Sequence, residues 1–523
     1  MPWALLVGAA LLNAVATGLA LWLAARRGGA RLALAVAAVL DVVLHLYGPE
    51  VLTAPWNPYL PVLWWFVLLL AVWSVLDGDL PALPVAVLAG SLCMQTHIPY
   101  LLLGACVLAL AGGAALRGAR RAVPDGRRAA WRWTAIALAV GVVVWLPPAI
   151  DQLTNEPGNA SKLLDHFGSP PEDETVLGAQ EGLALLVRHL DPIRLLRGQA
   201  LGNEPGTSLL PGMALLVAWA ASVVIAWRLR LRSLLRLDLV LGVALVVGAV
   251  ALGRILGFVW FYLSLWAFGL SALLLLAVGW TLVAAVTRGD RRGSTTTARA
   301  GAAVLAGSVL VWTTLTAVEA VDVERPDPAD SDIMRDLLPA TLAAMGDGAV
   351  DARGRDERWL VSWEIDPSGL GAQGFGLLLE LGRQGFEVGG TRLHVAGSTP
   401  PRTWELDEAT AFVHLAIGDD DVAVWRGRPG IEEVVTVDPR EAEDKAEYDR
   451  LRAEISRDLD AVGLQDLVAT FERIPFVAAL DPRVPADLVR RIDRMVDLGL
   501  PTAVFLGPAS AARTSGLGIQ PAA

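Results

Sequence analysis

The stretch WALLVGAALLNAVATGLALWLAARRGGAR, residues 3–31, decides the class of this chain. Residues 3–25 are almost wholly apolar and long enough for one helix to cross about 30 Å of hydrocarbon. Arg26 and Arg27 close the run, and Arg31 opens the next one. A signal peptide carries its basic residues ahead of the apolar run and a small-residue cleavage site behind it, and neither is present, so the segment reads as a mature helix. Because short basic loops stay cytoplasmic, the N-terminus is expected outside. A chain that starts outside without a cleavable signal reads as a polytopic protein whose first crossing is missing.

The 523 residues are 54% hydrophobic with a positive mean hydropathy, and the apolar runs of about 18 to 25 residues fit an integral membrane protein. All but Lys162 and Lys445 of the 43 basic residues are arginine. Together with abundant Ala, Gly and Val, this composition is that of a GC-rich genome, and the arginines act as a topology code, not as a nucleic-acid surface. The net charge of −11 comes mainly from the outer loop and the C-terminal third, which points to no polyanionic partner. Cys93 and Cys106 lie in apolar segments, so there is no disulfide framework and no zinc spacing. The sequence assigns no cofactor and no metal ligand set.

Arginine clusters at 26–31, 117–132, 228–236 and 288–299 fix the topology of the first 320 residues. If all four are cytoplasmic, an even number of crossings separates consecutive clusters. Residues 83–115 are then two segments, the first of which (83–94) rises only about 18 Å and breaks near Gln95-Thr96-His97. Residues 237–287 split likewise around Arg254. Ten segments result, near 3–25, 31–47, 60–76, 83–94, 98–115, 133–150, 208–227, 237–252, 262–287 and 300–320. The turn Asp77-Gly-Asp79 is the one cytoplasmic loop without basic residues. The long loop 151–207 falls outside, and its stretch 176–196 has the periodicity of a helix suited to the membrane surface.

Beyond Ala320 a linker, 321–332, turns acidic and Pro-containing, and residues 333–523 read as a soluble α/β domain on the outer side. Strands are expected at 359–364, 393–396, 412–417 and 434–437, with helices near 332–345, 373–384, 439–461 and 486–498. The fold class is therefore a polytopic α-helical membrane domain followed by an extracytoplasmic α/β domain.

Polar groups inside a membrane are costly and each needs a reason. Asp41 and His45 share one helix face at i, i+4, either as a hydrogen-bonded pair that holds the bundle or as lining of an outward cavity. Trp56-Asn57-Pro58-Tyr59 places amphipathic aromatics around a rigid turn, an interfacial anchor when taken alone. Gln95-Thr96-His97 sits at the outer end of a broken helix, where freed backbone groups line cavities rather than face lipid. Asp151, Gln152 and Asn155 begin the long outer loop, and Arg254 and Tyr262 bracket a later outer turn. A topology drawn from arginines alone brings all five groups to one face.

The strings Pro55-Trp56-Asn57-Pro58-Tyr59, Gln95-Thr96-His97 and Trp145-Leu146-Pro147-Pro148, continuing into Asp151-Gln152 and Pro157-Gly158-Asn159, are similar to those of actinobacterial membrane proteins of the GT-C class of glycosyltransferases. The resemblance covers residues 1–320. It implies a sugar donor on polyprenyl phosphate held between helices at the plasma membrane, with transfer on the outer face to a cell-envelope glycan. From the groups that the topology brings to that face, His45, Trp56, Asn57, Tyr59, Gln95, His97, Gln152, Asn155, Arg254 and Tyr262 are the substrate-binding candidates. In that class the usual catalytic base is an acidic residue of the outer loop between the first two helices, and this sequence has no such loop. Asp41 and Asp151 replace it by location only. The alternative is a non-catalytic scaffold or a transporter that displays the outer domain, although no helix pattern repeats between the two halves as in inverted-repeat transporters.

Two motifs carry little weight. Gly369-Leu-Gly371-Ala-Gln-Gly374 matches a dinucleotide fingerprint, yet Ala396-Gly397 stands where an acid should close the second strand, so a tight turn at a helix N-terminus is the better reading. Asn159-Ala-Ser161 matches a glycosylation sequon by chance.

Overall fold

The computed structural model describes residues 3–168, 175–198, 208–289, 295–323, 328–346, 354–363, 371–392, 402–481 and 483–514. The chain divides into two compact units, Met1–Pro326 and Asp327–Ala523.

In the first unit, helix α1 (Trp3–Thr53) is one run in name only. Gly28 and Gly29 leave helical geometry, Gly29 with a φ of +62° that an L side chain resists. Asn13 Nδ2 donates to Leu52 O at 2.7 Å, whereas a straight helix would hold residues 39 apart in sequence at about 58 Å. The two limbs therefore fold back on each other at the glycines beside Arg26 and Arg27.

Seven helices among the described residues are long and apolar enough to cross a membrane. They are α1, α4 (Tyr100–Arg121), α5 (Pro124–Thr154), α9 (Leu210–Arg228), α10 (Arg232–Gly253), α11 (Trp266–Gly289) and α12 (Thr295–Glu319). Two shorter apolar helices, α2 (Val62–Leu76) and α3 (Ala82–Thr96), stand among them. Helix α2 is hydrophobic on every side and buried from Val62 to Val75, so it forms the centre against which α1, α3, α4, α10 and α11 pack. Aliphatic side chains such as Leu138 and Val142 of α5 and Val304 and Leu310 of α12 stay exposed at the periphery, as a lipid-facing surface requires. The breaks expected at 95–97 and at Arg254 are present, since α3 ends at Thr96 and α10 at Gly253.

The acidic turn that looked out of place proves to be the junction of its end of the bundle. The Asp77 carboxylate is shared by Arg27 and Arg236 and accepts from Ser233 Oγ at 2.6 Å. Asp79 takes a two-pronged bond from Arg26 at 2.8 and 2.9 Å. Three turns far apart in sequence, at 26–31, 77–79 and 228–236, thus meet at one end.

Within the long loop, α6 (Asn159–Gly168), α7 (Ala179–His189) and α8 (Pro192–Arg197) are helical. Helix α7 differs from the surface-lying helix expected of it, because its apolar side packs on α9, α10 and α11. Leu185, Leu186 and Val187 are buried there, and only Leu183 of its leucines is open. A side chain at Gly182 would overlap the backbone of Gly253, and one at Gly212 the Val187 carbonyl, so these backbones approach too closely for any other residue.

The second unit begins with α13 (Pro328–Gly346), whose start at Pro328 takes up part of the expected linker. It continues as β1 (Arg358–Trp363), α14 (Ala372–Arg383), β2 (Glu387–Gly390), β3 (Ala411–Ile417), α15 (Asp419–Trp425), β4 (Glu432–Val437), α16 (Ala442–Ala461), α17 (Gln465–Arg473), α18 (Pro475–Ala479), α19 (Ala486–Asp497), β5 (Thr502–Pro508) and α20 (Ala509–Thr514). The sheet order is β2-β1-β3-β5-β4, parallel across the first three strands and antiparallel where β5 meets β3 and β4. Alternation splits β1 between two cores, Trp359, Val361 and Trp363 under α13 and α14, and Leu360 with Phe412 and Trp425 on the other side. The strand expected at 393–396 lies outside the described residues. The partner of β1 is instead Glu387–Gly390, and β5 joins strands that the sequence reading left unconnected.

Arg440, with its side chain 1% exposed, ties Asp438 at the end of β4 to Asp419 at the start of α15. Burial opposes the charge on Asp438, but hydrogen bonds from Arg440 and Lys445 outweigh it and hold the carboxyl at about 2. That lies below the unfolded value of about 3.9, so the stabilisation is complete above that value and lost as pH falls towards 2. Asp438→Asn should therefore lower stability at pH 7, with the deficit closing between pH 4 and 2 in urea denaturation followed by circular dichroism. In the membrane unit, Asp77→Asn strands two arginines and should cost about 3 kcal/mol. Asp79→Asn, whose partner Arg26 is 41% exposed, should cost about 0.5 kcal/mol in thermal unfolding of the detergent-solubilised protein.

Candidate functional site

At the end of the bundle opposite the Asp77 junction, three loops converge. The second limb of α1 leaves helical geometry at Gly48 (φ +71°), and a turn closed by the Tyr59 amide on the Trp56 carbonyl at 2.9 Å leads into α2. Proline at 55, 58 and 61 prevents this stretch from continuing as helix. Trp56, 41% exposed, meets Tyr59 at 4.8 Å and Tyr262 at 4.9 Å between ring centroids, both edge to face. Tyr262 in turn lies nearly parallel to Trp260 at 5.9 Å. Edge-to-face packing is the favoured geometry for such rings and leaves their polar tips free to face water.

His97 forms the floor. Helix α3 ends at Thr96, whose hydroxyl turns back to the Leu92 carbonyl, and His97 is extended because Pro99 opens the next helix two residues on. Its ring lies 5.9 Å from Tyr262 and 6.1 Å from Tyr100. One side of the imidazole interacts with the Tyr262 backbone, while Nε2 is buried without a hydrogen-bond partner. The Tyr100 hydroxyl is also buried and unpartnered, in the core of the bundle near Tyr47 and Cys93. Unmet polar atoms in native interiors are uncommon, which singles out the His97 imidazole beneath the aromatic rim.

Of the residues singled out from the sequence, Trp56, Tyr59, His97 and Tyr262 come together. Asn57 is exposed on the same turn as Trp56. The others are engaged elsewhere. Thr313 Oγ1 donates to Asp41 Oδ1 at 3.0 Å and His45 packs on Trp312 at 4.7 Å, so this pair fastens α1 to α12. Asp151 accepts from Asn155 Nδ2 at 2.7 Å and from the Asn159 amide at 3.0 Å, and Gln152 Oε1 accepts from the Ala160 amide at 2.9 Å. Asp151 and Gln152 thus cap α6, and Asn155 holds the Asp151 carboxylate in place. Gln95 Nε2 donates to the Val144 carbonyl at 3.0 Å, joining α3 to α5. Arg254 is exposed at the C-terminal end of α10.

Four residues escaped the sequence reading. Trp260 and Tyr100 complete the aromatic wall. Glu50 stands close enough to matter to Tyr59, since burial first and the Glu50 charge second push that phenol up to about 12. Gly48-Pro49-Glu50 at a helix end is the signal that could have found it. His189 of α7 contacts Leu185 O at 2.9 Å and Ser264 Oγ at 2.8 Å, so the long loop is latched to the segment carrying Tyr262. Burial pushes the His189 imidazole down to about 4, which keeps it neutral.

In the second unit the fingerprint glycines serve packing. Gly371 has a φ of +67° at the start of α14, and a side chain at Gly374 would overlap the Trp363 indole. Gln373 between them donates to Asp330 Oδ1 at 2.8 Å and accepts from Thr502 Oγ1 at 2.9 Å, which ties α13 to β5. Gly369, the first glycine of the fingerprint, lies outside the described residues. Among the described residues no group of three or more His, Cys, Asp or Glu is placed to hold a metal ion. No family model, curated protein or solved structure matches this chain.

Proposed function

We propose that this chain is a GT-C-like membrane glycosyltransferase whose sugar, presented on a polyprenyl phosphate, is bound by the rim of Trp56, Tyr59 and Tyr262 over His97. The observation that supports this most is the convergence of those residues, from three separated loops, around a buried and unpartnered imidazole nitrogen. Aromatic faces cover the apolar face of a sugar ring, and a neutral imidazole meets its hydroxyls, a combination of apolar walls and few polar groups typical of small-ligand sites. The polyprenyl chain would lie along the lipid-facing helices and the acceptor, an envelope glycan, would enter past Asn57. A second reading, a non-catalytic binding or scaffold protein, is favoured by one specific fact. Asp41 and Asp151, the carboxylates offered as base, are committed to helix packing and capping.

We also infer ten crossings, counting the two limbs of α1 separately and adding the short, enclosed α2 and α3. The pairing of Asp77 and Asp79 with Arg26, Arg27 and Arg236 supports it, because it gathers three turns of one assigned side. With that side cytoplasmic, the N-terminus, the aromatic rim and residues 333–523 fall outside.

Orientation is checked with Asn57→Cys in a background lacking Cys93 and Cys106. An impermeant maleimide should label intact cells, and labelling that requires permeabilisation would reverse the assignment. For function, membranes carrying the protein should move label from a polyprenyl-phosphate sugar to envelope glycan. Trp56→Ala should lower donor binding roughly thirtyfold, the scale of an interface tryptophan worth about 2 kcal/mol. His97→Ala should lower it without loss of thermal stability. Donor binding without turnover would establish the second reading, and no binding at all would remove both.

A further inference from the structure

A separate site lies on the lipid-facing side of the bundle, near the arginine-rich end. Between α9 and α10 a cavity of about 600 Å³ is lined by Trp219, Val223, Leu239, Val243, Val246 and Val247, with Asp238 and Gly242 completing it. Asp238 is 4% exposed, and Trp219 Nε1 donates to its Oδ1 at 3.0 Å. Its Oδ2 has no hydrogen-bond partner. A carboxyl buried among aliphatic side chains in a membrane helix is costly unless both oxygens are served.

Depth indicates what serves it. Arg236, which is paired with Asp77 at the end of the bundle, precedes Asp238 by two residues, or about 3 Å along the helix. From Asp238 the cavity wall continues to Val247, roughly 13.5 Å deeper. A lipid whose polar end rests just inside the interface, and whose chain then follows α10 inward, matches this run of one polar atom followed by aliphatic surface. The polar end is best a single hydroxyl. A hydroxyl donates to Oδ2, which an ether oxygen cannot do, and unlike an ammonium it brings no further charge among the aliphatic side chains. Among the described residues, no basic side chain lines the cavity to receive a phosphate.

We propose that the α9–α10 cavity binds a neutral lipid with a hydroxyl at the end of its chain, such as a long-chain alcohol, held by Asp238. The experiment is photo-crosslinking of the intact protein in bilayers with a diazirine-bearing hexadecanol and with its methyl ether, read as adducts on α9 and α10 peptides. The alcohol should label these peptides about tenfold more than the ether, the scale of one hydrogen bond to a charged group. Val243→Trp, which fills the cavity and leaves Asp238 in place, should abolish the difference, and Asp238→Leu should bring the alcohol down to the level of the ether. Equal labelling by alcohol and ether in the parent protein, a reading that needs no variant to fold, would overturn the proposal. So would undiminished alcohol labelling in Val243→Trp.

Discussion

One carboxylate organises the membrane unit. Asp77 lies in the tight turn between α2 and α3 and is 7% exposed, yet it receives Arg27 from the bend of α1 and Arg236 from the start of α10. A buried charge of this kind is tolerable only when fully paired, and pairing fixes where the ends of three helical hairpins stand. The Trp73 indole donates to the Ser233 carbonyl at 2.8 Å and lies under the Arg27 guanidinium, so the charged junction is locked to the aromatic side of α2. Once those ends are set, the opposite ends of the same helices have little freedom. The three loops bearing Trp56, His97 and Tyr262 are carried together because their other ends are pinned.

Much of this could be read in the residues. Arginine positions and hydrocarbon thickness located the helix breaks at residues 26–31, 95–97 and around 254, because those constraints act on single segments. The role of Asp77-Gly-Asp79 could not be read in the same way, since its partners are 50 to 159 residues distant. The same limit applies to Asp41 and His45. Their shared face was legible, but that it meets Thr313 and Trp312 depends on which helix lies alongside. In the second unit, β3 and β4 announced themselves by β-branched and aromatic residues. Strand β2, Glu-Val-Gly-Gly, did not, because its glycines are there to admit Trp404 against Gly389. Strand β5 is a short apolar run following an amphipathic helix, where period alone does not separate strand from helix.

At the candidate site, residue type was informative and residue partnership was not. Trp56 and Tyr59 suggested an interfacial anchor; the structure adds that Trp56 packs on Tyr262, which in turn packs on His97. Asp151 looked like chemistry because a carboxylate beside Gln and Asn invites that reading, whereas Asp151 and Gln152 cap a helix and Asn155 steadies the carboxylate.

Helix α7 carries a consequence for how the chain is assembled. Everything that covers its apolar side, α9, α10 and α11, follows it in the sequence. The glycine contacts at 182 and 212 allow no partial docking, because the backbones meet directly. During synthesis α7 must therefore wait, amphipathic and uncovered, until residue 253 has entered the bilayer. Its final position records the end of that delay, and closure of the aromatic rim becomes one of the last events in building the protein.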